Sequence, residues 1–301
     1  MTPARPPDCV RLVMAGADGS PSSLEAVETA AHEAELRRCA LRLVHAFFWP
    51  AMHPPPGPSP LGPPDGGLRE MVGRVVAEAV QRARTAAPDV ETTNAVIAGE
   101  PLSVLERQSR TAELIVVGSR GLGGFAGLLL GSTAVHLAAH SHCPVMVVRG
   151  RKDPAGDVLL GADGSPAGRA AVGFAFAEAS LRRAHLIAVH AWPPKTERAL
   201  GPQDPLASVF DEDRLHDGAA RQLSEALAGW QEKYPDVLVH RRLVKAGPRE
   251  ALIRASGSAQ LVVVGARGRG GVSGLLLGSV SQALLHHAQC PVTVVRGTGE
   301  Q

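Results

Sequence analysis

Two short patterns in this 301-residue sequence could handle a phosphorylated ligand, and each occurs twice. The first is Asp18-Gly19-Ser20-Pro21, which returns as Asp163-Gly164-Ser165-Pro166. The second is Gly118-x-x-Gly121 followed by Gly131-Ser132, which returns as Gly265-x-x-Gly268 and Gly278-Ser279. Glycines let backbone amides turn inward into an anion-binding concavity. A serine at the start of the next helix faces the free N–H groups and the positive end of the helix dipole, which favour phosphate. Ser279-x-x-Gln282 also has the form of a capping box, a role compatible with phosphate binding. Asp18 and Asp163 have two readings. Such a carboxylate can bond a ribose hydroxyl or a ring amine, and it can also simply close a turn. Ser20 and Ser165, each before a proline, read first as helix N-caps with Pro at N1.

These patterns belong to a long internal repeat. Val44-His45-Ala46 returns as Val189-His190-Ala191, and Cys143-Pro144-Val145 as Cys290-Pro291-Val292. The spacing between copies grows by two residues along the way, so the second copy carries a net two-residue insertion. A repeat of this length is a whole domain, and Gly150 to Gly156 has linker character. We therefore expect two domains, residues 1–150 and 151–301. The Pro-rich stretch Pro50–Pro64 cannot enter a sheet or a helix interior and reads as a mobile surface loop. Its counterpart near Pro193–Pro205 has a different sequence, so the copies have diverged.

Each copy alternates short apolar runs with amphipathic segments. Strands are predicted at Val10–Ala15, Leu41–Ala46, Val90–Ile97, Leu114–Val117 and Val145–Val148. In the second copy they are predicted near Val158–Leu160, Leu186–Val189, Val237–Val244, Leu261–Val264 and Val292–Val295. Helices are predicted from Pro21 to about Arg38, Leu68 to Ala86, Leu102 to Arg110 and Thr133 to Ala139. This alternation predicts, per copy, a five-stranded parallel sheet with helices on both faces. Ligands in such sheets bind beyond the carboxyl ends of the strands. The loops after strands one and four meet there if the strand order is flavodoxin-like or its 3-2-1-4-5 relative. The last strands, Val145–Val148 and Val292–Val295, are predicted edges through which the copies pack as an intrachain pseudo-dimer. The sequence leaves a further homodimer open.

Composition narrows the function classes. Aromatics are only 3% of residues, so the core must be built from Ala, Val and Leu. A net charge of +2 argues against an extended nucleic-acid surface. The chain has no apolar run long enough to span a bilayer and no apolar leader pattern, so a cytoplasmic protein is expected. Cys9, Cys39, Cys143 and Cys290 form no C-x-x-C pair and read as thiols. Neither a P-loop nor the G-x-G-x-x-G dinucleotide fingerprint is present, and His32-Glu33 lacks the second His of a zincin. His136, His140, His142 and Cys143 look metal-like. Copy two keeps only His287 and Cys290 of that set, so no metal site is expected. His45 and His190 read as satisfied histidines rather than bases. Arg120 and Arg267, inside the glycine loops, read either as phosphate partners or as solvated residues.

The Asp-Gly-Ser turn, the Val-His-Ala end of strand two and G-x2-G-x9-G-[ST], all present twice, resemble the universal stress protein family. The resemblance covers about residues 8–149 and 156–296. It implies two tandem Rossmann-like domains of the adenine nucleotide alpha hydrolase-like type, and an ATP-binding, regulatory stress-response protein. By resemblance, Gly118, Gly121, Gly131 and Ser132 would hold ribose and phosphates in copy one. Gly265, Gly268, Gly278 and Ser279 would do so in copy two. Asp18 and Asp163 would contact the nucleoside, and Val44 and Val189 would line the adenine pocket. Copy one has Gly99-Glu100-Pro101 where copy two has Ala246-Gly247-Pro248, which sets a backbone contact at this turn apart in copy two. Mg²⁺ would come with the nucleotide. No general base, nucleophile or Walker-type lysine stands out, so little or no catalysis is expected. The alternatives are a slow ATPase or phosphoryl-transfer enzyme, and a nucleotide-free interaction scaffold.

Overall fold

The computed structural model describes residues 11–47, 66–121, 130–151, 155–192, 205–268 and 277–297. The Pro50–Pro64 segment lies outside these residues, as do Cys9 and the counterpart segment up to residue 204.

Copy one contributes β1 (Leu12–Gly16), α1 (Pro21–Arg37), β2 (Ala40–Phe47), α2 (Gly66–Ala86), β3 (Thr92–Ala98), α3 (Pro101–Gln108), β4 (Leu114–Gly118), α4 (Ser132–His140) and β5 (Val145–Val148). Copy two contributes β6 (Asp157–Gly161), α5 (Pro166–Arg182), β7 (Leu186–Trp192), α6 (Pro205–Leu227), α7 (Trp230–Lys233), β8 (Val239–Lys245), α8 (Pro248–Ala255), β9 (Ala259–Gly265), α9 (Ser279–His287) and β10 (Val292–Val295). The five strands expected of each copy are all formed. Their bounds move by a few residues: β1, β3 and β8 each begin two residues later and end one residue later than the sequence pattern suggests.

The chain forms two compact units. The first runs through Leu137 and includes Ser141–Cys143; the second takes Ala138–His140 and everything from Pro144 onward. In the first, the strand order is β3-β2-β1-β4. β1 pairs parallel with both β2 and β4, and β2 pairs parallel with β3. In the second, the order is β5-β10-β9-β6-β7-β8. All its pairings are parallel except that of β10 with β5, which is antiparallel. The two strands predicted as edges thus pair with each other, Val292 opposite Val147 and Val294 opposite Val145. This pairing places the last strand of the first repeat in the second compact unit. The seam of the repeat and the limit of the compact units therefore do not coincide.

The strand order matters because it centres β1 between β2 and β4, and β6 between β7 and β9. The loops after strands one and four of each copy consequently emerge side by side. The core is aliphatic, as the composition requires. Val13, Met14 and Ala15 of β1 are buried against the small face of α1, which presents Ala26, Val27, Ala30, Ala31 and Ala34. Small residues on that face let the helix axis approach the sheet closely. β3 and β8 depart from the continuous burial expected of parallel strands. They end their sheets, and Val96 of β3 is half-exposed. Among the described residues, no helix is long and apolar enough to cross a membrane.

Candidate functional site

Each site begins with the turn after the first strand. Asp18 Oδ1 accepts the Ser20 N–H at 2.9 Å, and Asp163 Oδ1 accepts the Ser165 N–H at 2.9 Å. Between them, Gly19 and Gly164 adopt φ of +84° and +72°, a region open to glycine. Ser20 and Ser165 then act as N-caps, accepting the N–H of Ser23 at 3.2 Å and of Gly168 at 3.0 Å, with Pro21 and Pro166 at N1. The capping reading of the serines therefore holds, and so does the turn-closing reading of the aspartates. The serine hydroxyls do a second thing. They donate to the carbonyls of Arg120 and Arg267, at 3.5 and 3.3 Å, and so tie the loop after the fourth strand to the first helix.

These turn bonds are made to Oδ1 of each carboxylate. Oδ2 of Asp18 faces Gly121: a Cβ built on that glycine would lie 2.6 Å from it. Oδ2 of Asp163 stands in the same relation to Gly268, at 2.5 Å. The glycine loops therefore pass directly over the aspartates, and any side chain at 121 or 268 would collide with them. Gly118 is needed for a different reason. A Cβ there would lie 2.5 Å from both the carbonyl oxygen and the hydroxyl of Ser22 in α1.

The loops close on themselves through Gly131 and Gly278. Their N–H groups donate to Ser119 O and Ala266 O, both at 2.7 Å. These glycines are the N-caps of α4 and α9, and no side chain caps either helix. Ser132 and Ser279 are thus N1 residues, exposed, rather than caps. The capping box anticipated at Ser279-x-x-Gln282 is not formed, because the loop-closing bond makes Gly278 the cap and moves the serine one place into the helix. Hydroxyl and first-turn amides remain together at the positive end of the dipole.

Turn, loop and helix start surround a cavity of about 470 Å³ in the first unit and about 460 Å³ in the second. The structure brings Asp18, Val44, Gly118, Gly121, Gly131 and Ser132 to the first cavity, and Asp163, Val189, Gly265, Gly268, Gly278 and Ser279 to the second. Arg120 and Arg267 line them too and are exposed. Sequence reasoning missed part of the apolar wall. Pro101 and Leu105 of α3, and Pro248 and Leu252 of α8, line the cavities as well. The signal was present, since both residues recur at the same spacing in otherwise unlike helices. The two copies enter these helices differently. Gly99 adopts φ of +143° and its N–H reaches Phe47 O at 2.9 Å, whereas the Ala246 N–H turns to Val244 O at 3.0 Å.

The histidines at the ends of the second strands are held as satisfied residues. His45 Nδ1 lies 2.7 Å from Ala17 O, and His190 Nδ1 lies 2.6 Å from Ala162 O. A carbonyl only accepts, so Nδ1 carries the proton in both. Of the metal-like set, His136 Nε2 instead meets Glu106 Oε2 at 2.8 Å. Cys143 and Cys290 are buried free thiols, and burial pushes each up to about 12. Among the described residues, no three His, Cys, Asp or Glu are grouped to hold a metal ion.

The profile of the universal stress protein family matches the chain twice, over residues 10–149 and 155–296. A universal stress protein of Mycobacterium tuberculosis is 41% identical over 293 residues, covering 94% of this chain and 96% of its own length. Another, from Mycolicibacterium smegmatis, is 38% identical over 300 residues with the same coverage. Among solved structures, a universal stress protein from Archaeoglobus fulgidus shares the fold. It has a TM-score of 0.64 at 20% identity, over 96% of this chain and 97% of that chain. With two matched repeats, two copies of one α/β architecture and relatives aligned over 94% of its length, this chain belongs to the universal stress protein family as a tandem member.

Proposed function

We propose that this protein binds ATP in two sites, one per repeat, and acts through occupancy rather than turnover. The observation that carries this reading is the doubled cavity. In two copies that differ widely elsewhere, an aspartate oxygen, a glycine loop and an N1 serine over an uncapped helix end surround the same space. A volume of about 470 Å³ suits a nucleoside and part of its phosphate chain, within the roughly 300–1,000 Å³ usual for small-molecule sites. In this reading Val44 and Val189 flank the base, and Asp18 and Asp163 meet the ribose. The glycine loops with Ser132 and Ser279 receive the phosphates. Mg²⁺ accompanies the nucleotide, held mainly by phosphate oxygens.

Little hydrolysis is expected. Among the described residues, each cavity is lined by one aspartate and one arginine as its ionisable side chains. One oxygen of each aspartate is already engaged in its turn. No histidine, glutamate or lysine lines either cavity to serve as a general base. The carboxylate beside the glycine loop favours one second reading, a slow ATPase in which Asp18 or Asp163 assists Mg²⁺.

The test is nucleotide release on heat denaturation of the purified chain, followed by calorimetric titration of stripped protein with MgATP. Two nucleotides per chain and negligible phosphate release support regulatory binding. No binding at millimolar ATP sinks it and favours a nucleotide-free interaction scaffold. Turnover abolished by Asp18→Asn and Asp163→Asn supports the slow enzyme.

A further inference from the structure

Every position that lines both cavities carries the same residue in the two copies, apart from two neighbours in the first turn of the following helix. Thr133 of α4 corresponds to Val280 of α9, and Ala134 to Ser281. The second exchange adds no donor to its cavity. Ser281 is buried, and its hydroxyl donates to Gly265 O at 2.7 Å, bracing the end of β9. The first exchange is different. Thr133 is half-buried, lines the cavity, and among the described residues its hydroxyl makes no hydrogen bond. It sits at N2 of a helix whose N-terminus has no side-chain cap, next to Ser132. Threonine and valine have nearly the same shape, so the molecule contains its own isosteric comparison. Where one cavity has a hydroxyl-bearing side chain at the helix start, the other has a methyl in the corresponding position.

We propose, on the basis of the nucleotide reading above, that the two sites are unequal and fill in order. The first repeat takes the triphosphate first, because Thr133 supplies a donor that Val280 lacks. One hydrogen bond to a charged acceptor separates the affinities by roughly tenfold. Over that range of nucleotide concentration the chain carries one ATP, in the first repeat, and a distinct singly loaded form exists between the empty and full ones. The proposed inequality arises at the phosphate end. Elsewhere Val44 matches Val189 and Asp18 matches Asp163, while Ser23, which lines the first cavity alone and has Gly168 as its counterpart, already donates its hydroxyl to Ser20 O at 2.9 Å, so a ligand without phosphates is expected to find two similar sites.

The full chain, stripped of nucleotide, is titrated calorimetrically with MgATP and separately with adenosine. The native chain is expected to show two ATP classes of equal capacity roughly tenfold apart, and one adenosine class. Thr133→Val is expected to weaken the tight class until the two merge. Val280→Thr is expected to strengthen the weak class to the same effect, and it keeps the test open if Thr133→Val folds poorly. A single ATP class in the native chain overturns the inequality while leaving the nucleotide reading intact. Two classes that persist through both exchanges, or a tight class strengthened only by Val280→Thr, overturn its assignment to this pair. Two classes for adenosine overturn its origin at the phosphate end. A chain that binds no ATP at all removes both readings.

Discussion

Asp18 and Gly121 are complementary: Oδ2 of the carboxylate whose Oδ1 accepts in the turn after β1 occupies the space that a side chain at 121 would need. Asp163 and Gly268 repeat the relationship. The aspartate cannot simply swing aside, since its other oxygen holds the Ser20 N–H. Gly121→Ala is therefore expected to destabilise the chain by about 1–3 kcal/mol, the usual cost of overpacking. In urea denaturation, Asp18→Ala should relieve much of that loss, so that the double variant is more stable than additivity predicts. Strict additivity would mean that the carboxylate is not the obstacle.

Gly118 makes the contrasting case. Its missing Cβ is excluded by the backbone carbonyl of Ser22 as well as by the hydroxyl. Gly118→Ala should cost a similar amount, about 1–3 kcal/mol. Here Ser22→Ala should not restore it, because the carbonyl remains. Full recovery in that double variant would show that only the hydroxyl was in the way.

Helix α1 carries a buried ion pair, Glu33 with Arg37 one turn on, and α5 repeats it as Glu178 with Arg182 at 2.9 Å. Glu33→Ala leaves a guanidinium in a buried place and is expected to cost about 3–5 kcal/mol. The double replacement Glu33→Leu with Arg37→Met should cost far less, since a buried pair recovers little beyond its own desolvation. Chemical denaturation of the three chains distinguishes these outcomes.

Cys143 and Cys290 have an ordinary value of 9.0 and are pushed up to about 12, chiefly by burial. Below pH 9 both the folded and unfolded chains keep these protons, so the thiols leave stability unchanged. Between about 9 and 12 the unfolded chain loses them and the folded chain does not, so stability falls as pH rises. The slope is about 1.4 kcal/mol per pH unit for each thiol. Replacing both cysteines with alanine should flatten that part of the profile. An unaltered alkaline limb would assign it to other groups.

Much of the site was legible because the sequence states it twice. Duplication separated the Asp-Gly-Ser turn and the spaced glycines from everything that had drifted, and local chemistry supplied roles for Ser20 and Pro21. Three things were not legible. Ser279 looked like a cap, and only the bond from Gly278 N–H to Ala266 O shows that the helix begins one residue earlier than the pattern suggests. Pro101 and Leu105 recur as Pro248 and Leu252, but an apolar recurrence does not say which wall the residues line, and that was decided by the packing of α3 and α8. The position of β5 could not be read from its apolar run, because a four-residue strand does not encode its pairing partner.

Taken by itself, the sequence determined the repeat, the alternation of strands and helices, and the residue types available for a phosphate site. These follow from periodicity and from conformational preferences that act within a few residues. Tertiary structure decided which of them meet. Asp18 and Gly121 lie far apart in the chain, and they touch because β1 lies between β2 and β4. The antiparallel pairing of β5 with β10 was decided in the same way. Strand order and pairing depend on which edges and faces bury one another, a property of the assembled sheet that no local stretch of sequence contains.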